Sequence, residues 1–158
     1  MEGSKRLAAE LAHYKRVGLD SSILIYHLED LAPYAELTEL IFALLAKGEF
    51  SAVLSTISVT ELLVKPMASG KEDQVEACER FLQGLPHTEI VAPDYDIARE
   101  AARLRGRYGL RIPDALLLST SLKRGAEAFL TNDAELKRAG VEGVAILLLD
   151  DYLSEKKP

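Results

Sequence analysis

Four acidic residues stand where apolar runs give way to helix-forming sequence: Asp20 in LDSSILIY, Glu61 in STISVTELL, Asp114 in IPDALLL and Asp133 in LTNDAEL. Asp20 falls between Val17 and Leu19 on one side and Ile23, Leu24, Ile25 and Leu28 on the other. A carboxylate is costly to bury unless something pairs with it. Several carboxylates brought together at low dielectric also repel one another. A bound divalent cation removes both difficulties. Hard ions such as Mg²⁺ and Mn²⁺ take oxygen ligands, and Mg²⁺ keeps several of its waters. Such ions acidify water and orient it for in-line attack at phosphorus.

Each acid also has a local explanation. Asp and Ser at helix starts accept from unpaired backbone N–H groups and favour the positive end of the helix dipole. Ser58-Val-Thr-Glu61 fits a capping box, and so does Asn132-Asp-Ala-Glu135. Ser21 and Ser22 can cap the helix that follows Asp20, which leaves Asp20 without that task. Capping accounts for any one of these acids more readily than for the set. Other chemistries find little support. His13, His27 and His87 occupy helical or turn positions and read as structural or solvated. Cys78, in VEACE, reads as packing. There is no Gly-rich phosphate loop and no G-x-S-x-G elbow. A haloacid-dehalogenase-type phosphatase wants Asp-x-Asp after its first strand, where this chain has Asp20-Ser-Ser22. The acidic pair and late Lys of a receiver domain are not convincingly placed.

Positioning these acids requires an alternating chain. Arg16–Leu19, Ala52–Ser55, Glu89–Val91, Ala128–Leu130 and Ala145–Leu149 read as short strands. Helices are expected over Ser22–Leu28, Pro33–Lys47, Ser58–Val64, Lys71–Gln83, Asp94–Arg107, Ile112–Arg124 and Asn132–Ala139. Pro66 is expected to end the third of these, and Gly84, Gly125 and Gly140 to end the fourth, sixth and seventh. Short strands between helices imply an α/β fold, a three-layer α/β/α sandwich around a mostly parallel sheet. In such folds ligands sit beyond the carboxyl ends of the strands, where the strand order reverses. One domain over 16–152 is expected, with an N-terminal extension over 1–15 and a tail over 153–158. Leu7, Leu11 and Tyr14 lie on one helical face of that extension, which packs as an extra helix or serves a dimer contact.

The 158 residues carry 48% hydrophobic and 28% charged side chains, ordinary for one soluble domain. The single cysteine excludes an internal disulfide framework and any Cys-based zinc site, and fits a reducing cytosol. No apolar run reaches the ~18 residues of a membrane span, and MEGSKRLAAELAHYKR has no signal-peptide core. The net charge of -6 argues against a polyanionic partner. The objection is local rather than global. Arg99, Arg103, Arg105, Arg107 and Arg111 lead into Asp114, with Lys123 and Arg124 after it. This reads either as a rim for a nucleic-acid backbone, with Arg107 and Arg111 nearest the acids, or as a solvated face paired with Glu100 and other acids.

Taken in order, LDSSILIY, STISVTELL, IPDALLLSTS and LTNDAEL resemble the motifs of the PIN-domain nucleases, most closely the VapC-type toxins of prokaryotic toxin–antitoxin pairs. The resemblance runs from about Val17 to Asp150. It implies that Asp20, Glu61, Asp114 and Asp133 hold Mg²⁺ or Mn²⁺, with Ser22 and Thr131 in support. It implies an endoribonuclease that cleaves single-stranded RNA to 5′-phosphate and 3′-hydroxyl ends, a small antitoxin partner and a homodimer. Two positions depart from the family pattern: Ser22, where Asn is frequent, and Glu135-Leu136, where an acid and Phe are frequent. Neither removes an implied ligand. The alternative is a PIN-like module that binds RNA or protein without catalysis, against which the intact Asp20, Glu61 and Asp114 count.

Overall fold

The computed structural model describes residues 2–153. Five strands, β1 (Arg16–Leu19), β2 (Ser51–Ser55), β3 (Thr88–Val91), β4 (Ala128–Thr131) and β5 (Ala145–Leu148), form one sheet in the order β3-β2-β1-β4-β5. Every pairing is parallel. The chain builds outward from β1 to β3, then returns to the other side of β1 for β4. The strand order therefore reverses beside β1, between β1 and β4.

The side-chain alternation of the strands divides the core into two layers. Val17, Leu19, Ala52, Leu54, Ala128, Leu130 and Leu147 face α1 (Glu2–Leu11), α2 (Ser21–Leu28) and α3 (Ala35–Ala46). Leu62 of α4 (Thr56–Ala68) and Leu82 of α5 (Glu72–Gln83) join this layer. Phe129, on the opposite face, packs with Leu104 of α6 (Tyr95–Tyr108), Leu118 of α7 (Ile112–Lys123) and Leu136 of α8 (Ala134–Arg138). The expected three-layer sandwich is the observed architecture, and its sheet is wholly parallel.

Gly18 shows how closely the second layer approaches. A Cβ on Gly18 would lie 2.1 Å from Ser121 Oγ and 2.7 Å from Phe129 Cδ2. Only a bare backbone in the middle of β1 lets α7 settle onto the sheet at this depth. That helix carries Asp114 in its first turn.

Several boundaries differ from the sequence expectation for identifiable reasons. The helix carrying Glu61 begins at Thr56 and passes through Pro66 to Ala68. A proline near a helix C-terminus costs one hydrogen bond, and the buried Leu62 and Leu63 outweigh it. The last helix shrinks to Ala134–Arg138, and a 3-10 turn over Leu149–Tyr152 follows β5. The N-terminal helix is part of the core, since Leu7 and Leu11 are fully buried. Gly3 lies against Tyr152, where a Cβ would fall 1.8 Å from the carbonyl oxygen. Of the expected tail over 153–158, residues 154–158 lie outside the described residues.

Candidate active site

Asp20 immediately follows the central strand. Its backbone N–H donates to the Leu130 carbonyl at 2.9 Å, which joins the ends of β1 and β4. Its side chain is the N-cap of α2 and accepts from the Ser21 N–H at 2.8 Å. The serines thus do not replace Asp20 as the cap. Their short side chains leave the terminal N–H to the aspartate, which sits in extended backbone one residue earlier. The other Asp20 oxygen accepts from Thr131 Oγ1 at 2.6 Å. Burial pushes the Asp20 carboxyl up to about 6, against the lowering hydrogen bonds from Thr131 and Ser21, and the nearby Asp114 and Glu61 charges push the same way.

Glu61 comes from the second turn of α4. The expected capping box at Ser58 is not formed, because α4 starts earlier and Ser55 caps it by accepting from the Ile57 N–H. Ser58 is buried inside the helix and shares a 2.8 Å hydrogen bond with Ser21 Oγ. Ser21 Oγ also donates to Glu61 Oε1 at 3.2 Å. Two buried hydroxyls thereby fasten α2 to α4.

Asp114 sits in the first turn of α7, where the positive end of the helix favours a carboxylate. Gly109, left-handed at φ 71°, ends α6 and turns the chain toward it. Arg111 Nε donates to Asp114 Oδ2 at 3.1 Å. Asp133 caps α8 by accepting from the Glu135 N–H at 3.0 Å. The expected cap at Asn132 is corrected accordingly. The Asn132 side chain is engaged elsewhere, donating to Tyr26 OH and accepting from the Asp150 N–H. The Asp133 N–H donates back to Thr131 Oγ1 at 3.1 Å.

All four acids line one cavity of about 470 Å³, at the carboxyl edge of the sheet where the strand order reverses. Ser21, Ser22, Ile25, Tyr26, Arg111, Asn132 and Glu135 complete its wall. Thr131 supports it from below, fully buried. Arg107 does not line it. Arg107 pairs with Glu142 at 3.4 Å and lies over the Tyr108 ring. Arg103 pairs with Glu100, and Arg105 donates to the Leu110 carbonyl. Of these arginines only Arg111 reaches the acids. Sequence reasoning missed Tyr26, Asn132 and Ser58, whose roles depend on partners far away in the chain.

Do these residues fit a divalent ion? Among the described residues no three acidic, histidine or cysteine side chains close into a group that could hold a metal ion directly. The donor set is nonetheless all oxygen, the buried Ser22 Oγ has no hydrogen-bond partner, and two of the other carboxylates, Asp114 and Glu61, raise the proton affinity of Asp20. This all-oxygen donor set fits a hard cation that keeps waters of its own, which Asp20, Glu61, Asp114 and Asp133 would hold. It does not fit an all-protein cage.

The sequence matches the PIN domain over residues 17–142. The chain belongs to the PIN-domain family. No curated protein matches the sequence. Among solved structures, this PIN domain is similar to a chain of FitAB bound to an IR36 DNA fragment, with TM-score 0.67 and 18% identity over 89% of this chain and 98% of that chain. It is similar to a chain of VapBC2 from Rickettsia felis bound to a DNA fragment from their promoter, with TM-score 0.65 and 22% identity over 83% of this chain and 96% of that one. A toxin–antitoxin complex from Klebsiella pneumoniae gives TM-score 0.58 and 26% identity over 82% and 95% of the two chains. The α1 helix and the 3-10 turn lie outside the matched segment, and yet both pack onto the PIN domain.

Proposed function

We propose that this PIN domain is a metal-dependent endoribonuclease that cleaves single-stranded RNA. The observation that carries the reading is the cavity at the strand-order reversal, lined by carboxylates that lie 113 positions apart in the sequence at the extremes, Asp20 and Asp133. Asp20, Glu61, Asp114 and Asp133 are the residues that would hold Mg²⁺ or Mn²⁺. Such an ion supplies positive charge against a phosphodiester and acidifies water for attack at phosphorus. The chain's own residues orient that chemistry. Thr131 and the Ser21 N–H fix both oxygens of Asp20. Ser21 holds Glu61. Arg111 is the cation placed to meet a phosphate once it leaves Asp114.

Purified protein is expected to cleave single-stranded RNA with Mg²⁺ or Mn²⁺, to stop in EDTA, and to lose activity as Asp20→Asn. Cleavage that survives both treatments overturns the reading and points to a contaminating nuclease. The rival reading, a non-catalytic binding module, draws on the Arg111–Asp114 pair, in which a cation of the chain already neutralises one acid. It predicts no divalent-metal binding by calorimetry at millimolar concentration.

The likeness to chains of toxin–antitoxin complexes supports a second part of the proposal, that the protein is the toxin of such a pair, restrained by a small antitoxin; that it acts as a homodimer is proposed with it, on the family resemblance of its motifs alone. Expression alone is expected to arrest growth, and co-expression of a small neighbouring reading frame to restore it. Undisturbed growth under strong expression of the folded protein counts against toxin status.

A further inference from the structure

The turn that carries Thr131 and Asp133 is gripped by a closed ring of contacts that runs from the cavity wall, at Tyr26 and Asn132, out to Tyr34 and Asp150. Asn132 Nδ2 donates to Tyr26 OH at 3.2 Å. The Tyr26 ring stacks on the Tyr34 ring, with centroids 4.4 Å apart and planes 12° from parallel. Tyr34 OH donates to Asp150 Oδ1 at 2.7 Å. The Asp150 N–H closes the ring by donating to Asn132 Oδ1 at 3.0 Å. The carboxamide is thus used at both ends, and neither end touches an acid of the cavity.

The far side of this ring is itself anchored. Asp150 belongs to the 3-10 turn, whose Leu149 is fully buried. Arg6 of α1 donates to the Asp151 carbonyl at 3.0 Å and lies over the Tyr152 ring. Gly3 of α1 lets the helix meet the Tyr152 backbone. Lys137 of α8 pairs with Asp151. Both α1 and the 3-10 turn lie outside residues 17–142, the span matched to the family. Two segments outside the matched span thus brace one turn of the site.

We propose that Asn132 is a positioning residue, clamped among Tyr26, Tyr34 and Asp150 so that the Thr131–Asp133 turn keeps Asp20 and Asp133 aligned across the cavity. Its consequence for metal binding rests on the reading of the site as a metal-dependent nuclease. Thr131 bonds Asp20 and accepts from the Asp133 N–H, so a displacement of this turn moves both acids together. Second-layer groups of this kind tune metal affinity without touching the metal.

Two measurements on the full chain test this. The first is amide hydrogen exchange of the metal-free protein. Asn132→Ala is expected to speed exchange at Asp133 and Glu135 about tenfold, leaving the central-strand amide of Leu19 unchanged. Tyr34→Phe, which keeps the ring stack and loses the Asp150 bond, is expected to show a smaller effect of the same pattern. The second is Mn²⁺ titration by calorimetry with parallel kinetics. Asn132→Ala is expected to weaken Mn²⁺ binding about tenfold. It should lower kcat at fixed Mn²⁺, with recovery at higher Mn²⁺, and leave KM for RNA in place. Unchanged exchange at Asp133 and Glu135 in both variants overturns the proposal, as does exchange that rises equally at Leu19. Wild-type protein that neither binds Mn²⁺ nor cleaves RNA overturns the nuclease reading instead, and the exchange result still decides the role of Asn132. Should Asn132→Ala fail to fold, Tyr34→Phe carries both measurements.

Discussion

Thr131 Oγ1 donates to Asp20 Oδ2 across 2.6 Å, joining the ends of two neighbouring parallel strands through their side chains. This bond favours the charged form of a carboxylate that burial otherwise drives toward neutrality. Thr131→Val keeps the shape and deletes the donor. The Asp20 carboxyl in the metal-free variant is therefore expected to titrate above its present value of about 6. Carboxyl-carbon NMR through the acid range reads this directly. A titration that stays in place or moves lower contradicts it.

The raised proton affinity of Asp20 also sets a pH dependence of folding. The unfolded carboxyl titrates near 3.8 and the folded one near 6. Between these values the folded state binds more protons, so stability falls as pH rises. The loss is about 2 kcal/mol from pH 4 to 7, discounted because Asp20 borders the cavity. Urea unfolding of the metal-free protein should show it, and Asp20→Asn should flatten it. Added Mg²⁺ is expected to restore stability at pH 7 more than at pH 5, since it binds the carboxylate form.

Arg111 pairs with Asp114 from an exposed position, its side chain 76% accessible. Arg111→Ala frees the carboxylate and removes a cation from the rim. Mn²⁺ binding by calorimetry is expected to tighten about threefold, and RNA binding by filter assay to weaken. Weaker Mn²⁺ binding in this variant would show that Arg111 organises the acids instead of competing for one.

Gly18→Ala places a methyl group where Ser121 Oγ and Phe129 already stand. Overpacking of this kind costs about 2 kcal/mol. Because α7 must lift to accommodate it, the variant should also lose divalent-metal affinity through Asp114. Chemical denaturation and calorimetry on the same sample separate the two effects.

Leu7→Ala tests whether α1 belongs to the folded unit. Leu7 is fully buried against the first core layer, so truncation should cost about 3 kcal/mol. A change below about 0.5 kcal/mol, the range of surface substitutions, would make α1 an appendage.

The order of strands and helices was legible because buried parallel strands are short apolar runs and their covering helices keep a 3.6-residue stripe, as Leu37, Ile41 and Leu45 do in α3. The acids were legible as residues that an apolar neighbourhood disfavours. The caps were not. Ser58-Val-Thr-Glu61 has the pattern of a capping box, yet burial of Ser58 against Ser21 moves the helix start to Thr56. Asn132 has the same local pattern, and its partners at Tyr26 and Asp150 are invisible along the chain. Short-range signals decided the elements, and long-range hydrogen bonds decided what the polar residues at their ends do.

The pairing of Val17–Leu19 with Ala128–Leu130 has a consequence for the order of biosynthesis. Synthesis runs from the N-terminus, and β1 is among the first segments to emerge. Asp20 then waits for more than a hundred further residues before Thr131 and Asp133 arrive beside it. A nascent chain on the ribosome carries three of the acids without the strand that gathers them. The four carboxylates thus come together only after nearly the whole chain has been made.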